Sequence, residues 1–254
     1  MLKRIFALII AFACVFSITV SAQSQEENSY DLLSYDIKMQ LSETEYNNLS
    51  PWLQESISKY GIPNLEEIER MENGGGISLR AASDYGFIPS ATAFERYTYG
   101  SFIQQVNVCL PLAVANAISY FDYIGRTNLI AGTSLSQNEF TEICNKTQWG
   151  PSGTTLPKAV NGLALYVGQR GYVATDKLYY ISYWTNSKNS INNGYPLLVE
   201  QPTTDPDISH YNLAIGYKVE NNEKLLLVCT GDYDVPLAWL NINLVTKIDR
   251  IWIE

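Results

Sequence analysis

Histidine is almost missing from this chain: one residue, His210, in 254. That excludes a metal centre built from several imidazoles. Basic residues are scarce as well, 17 Lys and Arg against 26 Asp and Glu, for a formal net charge of −9 with no cationic block. Such a chain lacks the electrostatic footprint of a nucleic-acid binder or of a protein that grips an anionic bilayer. Four cysteines are too few for a disulfide scaffold. After the N-terminal segment no apolar run reaches about 18 residues, so nothing later is expected to span a membrane. No internal repeat is visible. What the chain does have is apolar content, 46% hydrophobic with only 17% charged, which suits a sizeable core and not a disordered tail.

The N-terminal segment reads as an address. Lys3 and Arg4 give a positive start, residues 5–15 are apolar, and Val20-Ser21-Ala22 offers small residues for cleavage. Residues 1–22 are therefore expected to be a secretory signal peptide, making the protein secreted or periplasmic with no membrane partner after cleavage. Cys14 follows Ala11-Phe12-Ala13, only a loose lipoprotein box, so a lipid anchor there is the less favoured reading. Export leaves Cys109, Cys144 and Cys229, an odd number, so at least one thiol stays unpaired within the chain. A Cys144–Cys229 disulfide and three buried, reduced thiols both remain open.

Along the mature chain, residues 23–88 form an acidic, partly helical region. Ser42 caps a periodic stretch carrying Leu49, Trp52, Leu53, Ile57 and Tyr60, which Gly61-Ile62-Pro63 stops. A second short helix is expected from Leu65 to Met71, ahead of the linker signal Gly74-Gly75-Gly76. Residues 89–254 form the main domain. Helices are expected from Cys109 to about Ile124, after the cap Ser136, and from Pro157 to Gly171. Strand-like runs follow at 178–184, 196–201, 211–217, 224–230, 237–242 and 248–253. Helices first and antiparallel strands afterwards predict an α+β fold.

The chemistry centres on two residues. Pro111 and the periodicity behind it place Cys109 at or just before a helix N-terminus, where unpaired N–H groups and the helix dipole favour a thiolate. The plainer reading is a small apolar residue starting a buried helix. Any Cys–His chemistry must use His210, which opens a strand. The return strand follows the turn at 220–223, and a hairpin centred on Asn221 sets Asp232 opposite His210, whereas centring on Asn222 sets Asp234 there. Either carboxylate can orient the ring, although both can equally be ordinary turn residues. Gln104 and Gln105 lie just upstream of Cys109 and, with its backbone N–H, are candidate oxyanion donors.

Four segments in this order resemble the papain-like cysteine peptidases, most closely the bacterial branch typified by the bacteriocin-processing peptidases. They are Gln104 through Pro111 with the helix behind it, Gly153-Thr154-Thr155-Leu156-Pro157 with Gly162, Leu163 and Tyr166, Gly194-Tyr195-Pro196, and His210 through Asp232. Leu110 stands where that branch usually has Gly. The resemblance implies a papain-like fold over about residues 89–254, with a central Cys-bearing helix packed on a C-terminal antiparallel sheet. It implies Cys109 as nucleophile, His210 as general base and then acid, Asp232 as orienting acid, and Gln105 or Gln104 at the oxyanion. A peptide or protein is the implied substrate, with neither metal nor organic cofactor. Residues 23–88 then read as a propeptide that autoinhibits the cleft, or as a permanent accessory region. Two other readings keep the same residues: an inactive binding or inhibitory protein, and an acyl or amide transferase.

Overall fold

Capping chemistry decides where the helices start. A computed structural model of the chain describes residues 29–72, 84–103, 107–203 and 209–254. The signal segment 1–22, Cys14, the triple glycine, Gln104 and Gln105 lie outside the described residues. Two units are distinguished, Met1–Leu33 and Ser34–Glu254. Of the first, only a turn is described, closed by the Leu33 N–H on the Tyr30 carbonyl at 3.1 Å.

In the second unit the N-terminal stretch folds as α1 (Tyr35–Gln40), α2 (Glu43–Asn48), α3 (Pro51–Tyr60) and α4 (Leu65–Glu72). The expected helix behind Ser42 is two helices, because Pro51 lacks the N–H needed to continue the first and instead takes the opening turn of the second. Ser42 and Glu45 form a reciprocal capping box, as do Ser136 and Glu139 at the start of α6 (Gln137–Lys146). Between them in sequence stand β1 (Tyr85–Phe87) and α5 (Cys109–Tyr123). α5 is buried from Leu110 to Phe121. Its Asn116, inside the core, satisfies its amide on the backbone N–H and C=O of Tyr97 at 2.6 and 3.1 Å, which ties the segment before the cysteine onto the helix.

α7 (Leu156–Gly168) packs against α6 at very close range. A Cβ on Gly162 would stand 2.5–2.6 Å from the Lys146 and Thr147 backbone, so only glycine fits the crossing. β2 (Ala174–Tyr179) and α8 (Tyr183–Asn192) come next. The expected strand 178–184 is therefore corrected: it ends early, because Ser182 adopts a left-handed φ of 55° and starts a helix instead. Tyr180 and Ile181, apolar enough to suggest a strand, are largely exposed.

β3 (Leu197–Pro202), β4 (Ser209–Glu220), β5 (Glu223–Cys229), β6 (Leu237–Asn241) and β7 (Lys247–Ile253) complete an antiparallel sheet in the order β2-β7-β3-β4-β5-β6, with β1 also on β4. α5 packs on β4 and β3, and α3 packs on β6. The expected α+β class is the observed one: helices, one bearing Cys109, against an antiparallel sheet of C-terminal strands.

The β4–β5 hairpin turns through Asn221 and Asn222, both with positive φ, a two-residue turn whose twist matches that of the strands. A bulge at Ile215 then adds one residue to β4, so that Ala214 faces Val228 and Leu213 faces Cys229. Continued upstream, that register leads from His210 towards Asp232. The ladder itself stops at Cys229, and Gly231, at φ 77°, bends the chain away.

Candidate active site

The thiol approaches the strand that carries the histidine through one dipeptide of β4. Cys109 is the first residue of α5 and is partly buried. The backbone N–H of Tyr211 points at its sulfur, as do those of Leu110 and of Cys109 itself. Tyr211 directly follows His210, so the strand that carries the imidazole also closes on the thiol.

Burial is the largest influence on Cys109 and pushes its thiol above the ordinary value, although the three N–H groups pull the other way. Cys109 stands at the helix start as expected, and desolvation there opposes the pull of the helix terminus towards a thiolate. Burial likewise drives His210 down to about 4, against the opposing pull of Asn212 and the Thr230 carbonyl, which favour the charged ring. Burial thus disfavours the charged form of each group and works against a thiolate–imidazolium pair.

His210 Nε2 lies 3.1 Å from Asn212 Oδ1, two residues further along the same strand face. That partner was missed in the sequence, though the i+2 spacing was there to find it. Asp232 is engaged elsewhere: its Oδ1 accepts the backbone N–H groups of Asp234 and Val235 at 2.9 and 3.2 Å, a turn of its own making. Asp234 is exposed. The partly buried Tyr99 phenol nonetheless feels both Cys109 and Asp232, each of which adds to the upward push of burial on its pKa. Gln104 and Gln105 lie outside the described residues. The glycine loop that leads into α7 does reach the cysteine segment, since Asn107 Nδ2 donates to the Pro151 carbonyl at 2.7 Å.

Cys144 and Cys229 are buried free thiols, so of the two open readings the structure has reduced cysteines and no disulfide between them. Trp52 of α3 packs near the imidazole, its ring centroid 5.9 Å from that of His210 at 39°. Together they border a crevice of about 400 Å³.

A family model matches residues 95–232, which include Cys109, His210 and the turn at Asp232. The chain belongs to the Peptidase_C39 like family. That membership accords with the resemblance read from the four segments and brings the geometry under a cysteine-peptidase family. Among solved structures, the chain is similar to the peptidase domain of Streptococcus ComA, a bi-functional ABC transporter involved in a quorum-sensing pathway. The TM-score is 0.41 at 15% identity, over 59% of this chain and 93% of that one. No curated protein matches the sequence.

Proposed function

We propose that this chain is a secreted or periplasmic thiol peptidase in which Cys109 attacks a peptide carbonyl. The observation that carries the reading is the placement of the Cys109 sulfur against the backbone of the residue next to His210, within a family of cysteine peptidases. Both groups rest uncharged, so the thiol proton passes to the imidazole as sulfur attacks carbon. The charged ring that forms is favoured by Asn212 and the Thr230 carbonyl. Asn212 thereby takes the orienting part that the hairpin register suggested for Asp232, while Asp232 holds its own turn. The ring then gives the proton to the leaving amine as the C–N bond breaks. Water, deprotonated by the same ring, releases the acyl group from Cys109. Backbone N–H groups at the start of α5 support the oxyanion, and Gln104 or Gln105 is the proposed side-chain donor. The raised thiol pKa favours one other reading, an inactive family member that only binds.

Incubation of the wild type, Cys109→Ala and His210→Ala with a mixed peptide library, read by mass spectrometry, decides between them. The expected result is cleavage by the wild type alone, with both variants folded. Cleavage by Cys109→Ala rules the proposal out, and an inert wild type favours the binding protein. An added amine that appears in the products instead of water identifies a transferase.

A further inference from the structure

Beside His210 the structure has an open space that the proton transfers leave unexplained. The crevice is lined by Pro51, Trp52 and Glu55 of α3, by Gln201 of β3, by Leu244 after β6 and by the His210 ring itself. Cys109 is not part of this lining. The acyl half of a substrate is bonded to sulfur, at the start of α5. A space walled by the imidazole and not by the sulfur suits the departing amine, which receives its proton from that ring.

The walls are apolar where they are broad. Trp52 presents an indole face and Leu244 is unusually exposed for its type. Glu55 is exposed at the mouth, where its charge disfavours an acidic side chain. Gln201 pairs with His210 across the two strands. It is 1% exposed, and neither atom of its amide has a hydrogen-bond partner.

Four of these residues, Pro51, Trp52, Glu55 and Leu244, fall outside residues 95–232, so this wall is an addition to the part shared with the family. The helix that carries Trp52 is built in. Leu53 and Ile57 are buried, and the buried Ser56 hydroxyl donates to the Trp239 carbonyl at 2.7 Å. Tyr60 accepts from Asn241 at 3.1 Å. A segment that served only as a removable plug would fill the crevice, and α3 instead borders it.

We infer that the crevice is the subsite for the residue directly after the scissile bond, that it takes an aromatic or apolar side chain, and that Trp52 and Leu244 set this specificity. The inference rests on the peptidase reading of the same site. It makes α3 a permanent part of the site and not an inhibitory propeptide.

Two measurements test it. Peptides with one fixed acyl half and Phe, Leu, Gly or Glu after the cleaved bond are compared on the wild type, Trp52→Ala, Trp52→Phe and Leu244→Ala. The wild type should prefer Phe and Leu over Gly and Glu by roughly tenfold or more in kcat/KM, the gain expected from burying one apolar side chain. Trp52→Ala should lose that preference through KM, Leu244→Ala should weaken it, and Trp52→Phe should keep most of it. Separately, binding of phenylalanine amide and glycine amide to Cys109→Ala is followed by calorimetry, with no turnover required. Preferential binding of phenylalanine amide beside a wild type that cuts nothing sinks the peptidase reading, and the subsite assignment with it, and leaves an apolar binding crevice only. Cleavage without a preference, or with one that Trp52→Ala leaves intact, overturns the subsite and leaves the peptidase. Faster turnover of every peptide by Trp52→Ala also overturns it, and makes α3 an inhibitory cover.

Discussion

The resting ionisation of Cys109 can be read directly from its alkylation rate. The thiol sits above its ordinary value of 9.0 because burial outweighs the N–H groups around it. Thiolate is then less than about 1% of the total at pH 7, and iodoacetamide reacts only with thiolate. The rate should climb about tenfold for each pH unit between pH 6 and 8.5, because the thiolate fraction does. His210, held down to about 4, offers no positive charge in that range to flatten the curve. Cys144 and Cys229 are buried, with thiols pushed up to about 12, so they contribute little, and Cys109→Ala gives the background to subtract. Stopped-flow or quenched mass-spectrometric alkylation across the pH range measures the slope. A rate that stays level from pH 5 to 8 is the signature of a thiolate–imidazolium pair and would refute the account of a desolvated, neutral site.

Two further outcomes concern the scaffold. Asp249 is buried with one carboxylate oxygen unpartnered, and burial, helped by Asp176, raises its pKa to about 7. The folded chain thus keeps a proton that the unfolded chain releases near 3.8, so stability is highest below that value and falls as pH rises through 7. Asp249→Asn should change little at pH 4 and should stabilise at pH 8.5 by up to about 4 kcal/mol, roughly 10 °C in Tm by calorimetry. An equal shift at both pH values counts against a buried, protonated carboxyl. Gly162→Ala should force α6 and α7 apart, since the new methyl meets backbone and not a movable side chain. A loss of about 2 kcal/mol or more is expected in urea melts, and an unchanged midpoint would show that the crossing is looser than described.

Local chemistry was legible in the sequence wherever it determines structure by itself. The cap Ser136 announced α6, the proline at 111 placed Cys109 at a helix start, and two asparagines made the β4–β5 turn. The run 178–184 misled because its aromatic and apolar residues satisfy strand composition, while the left-handed Ser182 that ends the strand leaves no such mark. The direction of the Cys109 shift was not readable, because a helix start is a local feature and burial is not. The approach of Trp52 to His210 depends on α3 docking on β6, a contact between residues more than 150 positions apart. Asn212 was within reach of reasoning, two positions from the histidine on one strand face. The ladder stops at Cys229, short of the carboxylate that the hairpin register points to.

The extra residue at Ile215 also decides which functional group looks out of each face of β4. Strand neighbours alternate, and one inserted position reverses everything upstream of it relative to the Asn221-Asn222 turn. Straightening β4 with that residue kept would set Ile215 opposite Val228 and turn the imidazole of position 210 to the other face of the strand. The face that carries position 210 is therefore set by a bulge five residues away, and an irregularity in the ladder, not the side chain itself, decides where the proposed general base looks.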